Sequence, residues 1–296
     1  MLDLLSITAD PAYARRLWAH PGNTVFVDLE TQGKRERQSV RDTVISTHTM
    51  EDAGRLAHLP DRGPLLVRTN PSGAGAEEEA RELAALGVDR LMLPMFRTRA
   101  EVDAVVGAVG AVGPHPPRLT LLAETVDAVR DLEAIVDGQP SWVDHVHIGL
   151  NDLSLERGTP FLFEPVATGE IAELARRVLS LGRRFGFGGV GMPGRGLVPA
   201  EMILGEHVRV GSSCVILSRS FHGAVSSEDP DPTGPEDSHP PGPEAPGPLS
   251  RGIALVRRWE AHWRAATPEE LDGNHRALAR AIRRVLETTP AQPEKP

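Results

Sequence analysis

Short apolar runs alternate with longer amphipathic stretches over the first 220 or so residues. The runs at 4–8 (LLSIT), 24–30 (TVFVDLE), 64–70 (PLLVRTN), 90–96 (RLMLPMF), 119–124 (LTLLAE), 145–150 (HVHIGL), 186–190 (GFGGV) and 210–217 (VGSSCVIL) are stopped by polar or turn residues, the pattern of buried strands. Between them, 11–20, 48–59, 76–86, 99–109, 126–136, 169–185 and 199–207 carry the features of helices. Thr49 and Asp52 have the spacing of an acidic capping box, and Gly87 closes the helix at 76–86. Strands separated by helices imply right-handed crossovers and a parallel sheet. Eight such units predict a closed (β/α)8 TIM barrel, and no glycine-rich dinucleotide fingerprint follows the first strand.

After Ser220 the regularity ends. Residues 224–249 are rich in Pro, Gly and acids, too polar to bury a core, and read as a disordered linker. Beyond it, Ile253, Val256, Trp259 and Trp263 recur at helical spacing. Thr267, Pro268 and Glu270 then start a second helix, with Leu271, Leu278, Ile282 and Leu286 on one face. The expected organisation is a barrel over 1–223, a linker over 224–249, and C-terminal amphipathic helices over 250–290. These helices must pack on their own barrel or a neighbouring one, their two tryptophans serving as packing anchors.

Charge changes this picture little. The formal charge of −9 includes six acids of the linker, and removing them leaves −3, so nothing points to nucleic acid. No apolar run approaches the roughly 20 residues that span a bilayer, and no cationic segment precedes an apolar one as in a signal peptide. The single cysteine, Cys214, excludes an intrachain disulfide and a Cys-based zinc site, and is expected to be a small buried hydrophobe in a cytoplasmic protein.

Chemistry gathers at the strand ends, which form the active face of such barrels. Asp28 and Glu30, Arg68 and Asn70, Glu124, and Asn151 and Asp152 all fall there. A carboxylate where a buried strand meets solvent needs a proton, a cation or a metal beside it. Glu124 and Asp152, delivered to one edge, suggest an oxygen-ligand site for Mg²⁺ or Mn²⁺. Strand alternation is expected to turn His145 and His147 away from that site, as core or helix-packing residues.

The segments VDLETQGKRERQ (27–38), LLVRTNP (65–71), RLMLPMF (90–96), LLAET (121–125) and IGLNDLS (148–154) occur in an order that resembles the HpcH/HpaI aldolase and citrate lyase β-subunit family of pyruvate/phosphoenolpyruvate barrels. The resemblance implies a divalent metal held by Glu124 and Asp152, and a pyruvate- or oxaloacetate-like group contacted by Arg68. Asp28, Asn70, Asn151 and Arg195 are further candidate substrate contacts. Asp28 and Glu30 are equally suited to holding Arg68 by a salt bridge. In the aldolase branch a histidine linked to proton transfer follows the Asp-x-Glu segment; here that position is Thr31, and Glu30 or His48 is left to act as the base.

The implied activity is a metal-dependent carbon–carbon lyase or aldolase acting on a 2-oxo acid through an enolate, stabilised by a Lewis-acid metal and a fixed guanidinium. Two alternatives stand beside it. One is an acyl-CoA lyase of the citrate lyase-like branch, which needs a basic groove for the nucleotide diphosphate that no sequence pattern marks; Lys34, Arg35 and Arg37 read as a solvated charged stretch open to an anionic substrate tail. The other is a non-catalytic barrel serving assembly or partner binding, motivated by Thr31 and the linker. The resemblance also implies a homo-oligomer with exchanged C-terminal helices.

Overall fold

The computed structural model describes residues 1–32, 46–73, 75–226 and 247–288. Eight strands follow one another around a closed, all-parallel barrel: β1 (Asp3–Ile7), β2 (Asn23–Asp28), β3 (Leu65–Arg68), β4 (Arg90–Leu93), β5 (Arg118–Ala123), β6 (Val143–Ile148), β7 (Arg184–Val190) and β8 (Cys214–Leu217). Closure joins the ends of that series, with Asp3 opposite Cys214 and Ser6 opposite Leu217. The expected TIM barrel is therefore the observed fold.

Helices cover the outside: α1 (Pro11–Trp18), α2 (Met50–Ala57), α3 (Ala76–Ala85), α4 (Arg99–Gly110), α5 (Val126–Arg130), α6 (Leu132–Val136), α7 (Leu150–Arg157), α8 (Glu164–Ala167), α9 (Glu170–Ser180), α10 (Ala200–Arg209) and α11 (Arg219–Ser226). The strands sort their side chains by period 2. One set, including Leu4, Val25, Val67, Leu91, Leu121 and Val146, packs outward with the helices. The other, Leu5, Phe26, Leu66, Met92, Leu122 and Cys214, forms a separate cluster inside. Thr49 caps α2 reciprocally with Asp52, as the sequence predicts.

Several boundaries depart from expectation. Strand β6 stops at Ile148, and Leu150–Arg157 is a helix, so Asn151 and Asp152 sit in its first turn rather than at a strand end. The helix expected over 169–185 ends at Ser180, and Arg184 and Phe185 belong to β7. Residues 126–136 divide into α5 and α6 at Asp131. Near the barrel's end, α10 runs to Arg209 and β8 begins only at Cys214.

Helix occupies both edges of the expected linker, since α11 reaches Ser226 and α12 (Pro248–Ala265) starts at Pro248. The rest of that linker, 227–246, lies outside the described residues, as do Lys34, Arg35 and Arg37. Helices α12 and α13 (Pro268–Thr288) pack on their own barrel, chiefly along α10. Leu249, Ile253, Val256, Leu278 and Ile282 are buried there. The Trp263 indole N–H donates to the Glu201 carbonyl at 2.7 Å, and Asn274 Nδ2 donates to the Met202 carbonyl at 2.9 Å. At the base, the Leu2 amide donates to Glu260 Oε1 at 2.5 Å, tying α12 to the first strand.

Candidate active site

Strands β2 and β3 run in register with Asp28 opposite Arg68, which brings an acid and a guanidinium together at the mouth. Arg68 grips Asp28 with two parallel bonds, Nε to Oδ1 at 2.8 Å and Nη2 to Oδ2 at 2.7 Å. Its third nitrogen, Nη1, lies 3.3 Å from Glu30 Oε2. Burial opposes the charge on Arg68, but Asp28 and Glu30, with Glu124 further off, hold its pKa above the usual arginine value. A fork with two parallel bonds is fixed in direction as well as charged. Arg68 is therefore held in a salt bridge and at the same time lines the mouth cavity.

That cavity, of about 540 Å³, opens at the C-terminal ends of the strands. Asp28, His48, Arg68, Glu124, Asn151 and Asp152 all line it. Glu124 follows β5 and Asp152 lies on the first turn of α7, and both are buried, at 2 and 6 % exposure. Gly149, between β6 and α7, makes this approach possible. A Cβ there would stand 2.5 Å from Glu124 Oε2, so any larger residue would displace the carboxylate. Two carboxylates without amine, imidazole or sulfur form a hard donor set, which fits Mg²⁺ or Mn²⁺. Asp28 and Glu30 hold Arg68, and Glu124 and Asp152 line the same cavity beside it.

His48 is half-buried. Its Nδ1 accepts from the Asp28 amide at 3.1 Å, so the neutral ring carries its proton on Nε2. Burial lowers its pKa, while the negative charges of Asp28 and Asp52 act in the opposite sense. Glu30 is placed differently from what a base requires: it is fully buried beside Arg68 and does not line the cavity.

Two other candidates stand outside the cavity lining. Asn70 Oδ1 accepts from the Thr31 and Gln32 amides at 3.0 and 3.1 Å, while its Nδ2 donates to Glu79 at 2.7 Å. Asn70 therefore organises the loop after β2. Arg195 is exposed on the glycine-rich loop, where its amide donates to the Met192 carbonyl at 3.1 Å.

The cavity also contains residues that strand-end reading passed over. His147 lines it, contrary to the expectation that both β6 histidines turn away. Both are buried, and their rings meet edge-on inside the barrel, 6.2 Å between centroids. Ser218, Arg219 and His222 line it from the start of α11. His222 Nδ1 lies 2.9 Å from the Tyr13 hydroxyl, and burial lowers its pKa to about 4. Cys214 is buried in β8 as expected. However, it is grouped with His145 and His147, which reopens the sulfur–imidazole metal chemistry that a lone cysteine was taken to exclude.

A closed (β/α)8 barrel with buried carboxylates and a clamped arginine at the C-terminal mouth is the architecture of an enzyme active site. Residues 4–190 match the family model described as HpcH/HpaI aldolase/citrate lyase, and the chain belongs to this family of carbon–carbon lyases. No curated protein matches it. Among solved structures, it is similar to an HpcH/HpaI aldolase from Desulfitobacterium hafniense DCB-2. That match has 16 % identity and a TM-score of 0.57, over 79 % of this chain and 95 % of the other. A citrate lyase from Burkholderia xenovorans LB400 has 15 % identity and a TM-score of 0.56, over 90 and 94 %. RipC from Yersinia pestis has 18 % identity and a TM-score of 0.52, over 77 and 94 %.

Proposed function

We propose that this protein is a divalent-metal-dependent carbon–carbon lyase or aldolase acting on a 2-oxo acid of the pyruvate or oxaloacetate type. The observation that carries the reading is the convergence of Glu124 and Asp152 on one cavity with a guanidinium already fixed by two acids. Glu124 and Asp152 would hold the metal, and Mg²⁺ or Mn²⁺ bound there would supply Lewis-acid stabilisation of negative charge developing on a carbonyl oxygen.

The remaining roles belong to the chain itself. Arg68 binds the 2-oxo acid's oxygens with the N–H groups that Asp28 and Glu30 leave open, and its fixed orientation carries no reorganisation cost during reaction. Glu30 acts through Arg68 as a positioning residue. Neutral His48 presents Nε2–H as a hydrogen-bond donor, which suits stabilising negative charge on a substrate oxygen rather than abstracting a proton. Asn151, at the start of α7, orients groups beside Asp152.

The mouth is an open cavity, and among the described residues neither α12 nor α13 lines it, which favours catalysis over a purely assembling barrel. The acyl-CoA alternative finds one exposed cation in the lining, Arg219. No described helix is long and apolar enough to cross a membrane, and we place the reaction in the cytoplasm. A homo-oligomer belongs to the same reading. Exchange of α12 and α13 between copies would re-form in trans the contacts they make with their own barrel.

The test is calorimetric titration of metal-stripped protein with Mg²⁺ or Mn²⁺, then with pyruvate and oxaloacetate. Oxo-acid binding that requires metal and disappears in Glu124→Gln and Asp152→Asn is the expected result. A wild-type protein that binds neither metal would overturn the mechanism.

A further inference from the structure

Below the mouth, β6 and β8 place three soft or borderline donors inside the barrel. Cys214 Sγ lies 3.5 Å from His145 Nε2 and 3.4 Å from His147 Nδ1. All three donor atoms fall within 4.8 Å of one another. Bonds from Zn²⁺ of about 2.3 Å to sulfur and about 2.0–2.1 Å to nitrogen, at tetrahedral angles, separate sulfur from nitrogen by about 3.5 Å. The two observed sulfur–nitrogen edges have this length.

Two further observations bear on the same point. A Cβ on Gly186 would stand 2.7 Å from both Cys214 Sγ and His147 Nδ1, so the glycine of β7 leaves room between these donors. Behind the His147 ring stands a partner typical of metal-binding histidines, a backbone carbonyl. The Gly188 carbonyl accepts a hydrogen bond from His147 Nε2–H at 3.0 Å, which leaves the Nδ1 lone pair facing the sulfur. Thr120 Oγ1 lies 3.4 Å from His145 Nδ1 on the far side of that ring. His147 also lines the mouth cavity, which gives an ion a route inward.

We infer that His145, His147 and Cys214 form a second metal site, selective for a thiolate-binding ion of the zinc class and separate from the carboxylates at the mouth. Softness separates the two: thiolate and imidazole suit zinc, while carboxylates suit magnesium and manganese. On binding, the thiol gives up its proton to solvent, and the sulfur lone pair forms the bond to the metal.

The test is anaerobic titration of reduced, metal-stripped full-length protein with Co²⁺ as a spectroscopic probe. The expected result is a near-ultraviolet thiolate-to-cobalt absorption that saturates at one equivalent and is displaced by Zn²⁺. It should persist in Glu124→Gln and Asp152→Asn, and vanish in Cys214→Ser and in Gly186→Ala, whose methyl group fills the space. Wild-type protein without thiolate absorption overturns the inference whatever the variants do. So does tight one-to-one zinc binding, seen by native mass spectrometry, that is unchanged in Cys214→Ser. Because the mouth variants retain this signal, failure here is distinguishable from failure of the lyase reading.

Discussion

At the base of the barrel a cavity of about 330 Å³ is lined by Asp3 and Asp89 together with Arg90, Arg118 and Arg184. At the mouth, Asp28, Glu124 and Asp152 line the larger cavity with Arg68 and the rim residue Arg219, and Glu30 lies behind Arg68. The base uses its charges as cross-links. Asp3 accepts from the Thr24 hydroxyl at 2.7 Å and lies 3.3 Å from Arg90, and Asp89 accepts from the Leu65 amide at 2.9 Å. The mouth instead concentrates acids around one clamped arginine. Charge at the base holds strands together, and charge at the mouth lines the face that carries the active site in such barrels.

Substitutions of the mouth carboxylates Glu124 and Asp152 should therefore reduce activity, and those at the base should reduce stability. The largest effect is expected for Glu124→Gln and Asp152→Asn. Loss of several kcal/mol of charge stabilisation corresponds to about 10³-fold or more in kcat/KM, with the urea midpoint nearly unchanged. Steady-state kinetics alongside urea unfolding would separate the two quantities, and a variant with full activity would break the contrast. Arg68→Lys keeps the charge but loses the fork, and should lower kcat/KM by about 10²-fold. Arg68→Met leaves Asp28 and Glu30 buried without their cation, and should destabilise the fold by about 3–5 kcal/mol in the same unfolding assay.

His48 predicts a pH effect of defined sign. Its pKa is lowered by burial, so the folded state favours the neutral ring, and protonation, which needs a pH below the usual histidine range, removes the Nδ1 acceptor from the Asp28 amide. Activity should decline on the acid side, and His48→Asn should lose that limb and about 10-fold in kcat. A wild-type and variant with superimposable pH profiles would remove His48 from the chemistry of the site.

Glu260 gives the matching prediction at the base. Burial raises its pKa, but the bonds from Arg264, Arg257 and the Leu2 amide outweigh that and hold it below the usual glutamate value. Its contribution is therefore present above the unfolded pKa near 4.5 and is lost as pH falls through the lower folded value. Glu260→Gln should cost about 1–2 kcal/mol at neutral pH, a deficit that shrinks in acid, with kcat unchanged. Arg195→Ala, exposed and away from the cavity, should stay within about twofold of wild type in kinetics.

The barrel was legible because its outward-facing positions are nearly unbroken Leu, Val and Ile, and short strands alternating with helices leave few other topologies. The register of Asp28 against Arg68 was also accessible, since both close apolar runs of similar length. Asp152 was misplaced because Leu150 prolongs the apolar look of β6, although Gly149 ends the strand and a helix begins. Counting parity from Asp152 through that break then turned His147 the wrong way. Phe185 was absorbed into a helix because its apolar spacing matched, yet Gly182, with a φ of 70°, had already stopped α9. Ser218, Arg219 and His222 were invisible because their strand ends in no acid. They reach the cavity only through the turn into α11, a tertiary fact that no local pattern encodes.

Barrel closure has a consequence for how the chain is made. Asp3 pairs with Cys214, so the first strand emerges from the ribosome early and waits for its second neighbour until nearly the whole barrel has been synthesised. Closing so long a loop costs about 5 kcal/mol in chain entropy by the logarithmic rule. Until then β1 has one exposed edge, a surface prone to pairing with other chains. Glu260 of α12, which accepts from the Leu2 amide, is synthesised later still. The C-terminal helices thus latch the seam after it forms, and their removal should leave a nascent barrel that misassembles sooner than one that catalyses poorly.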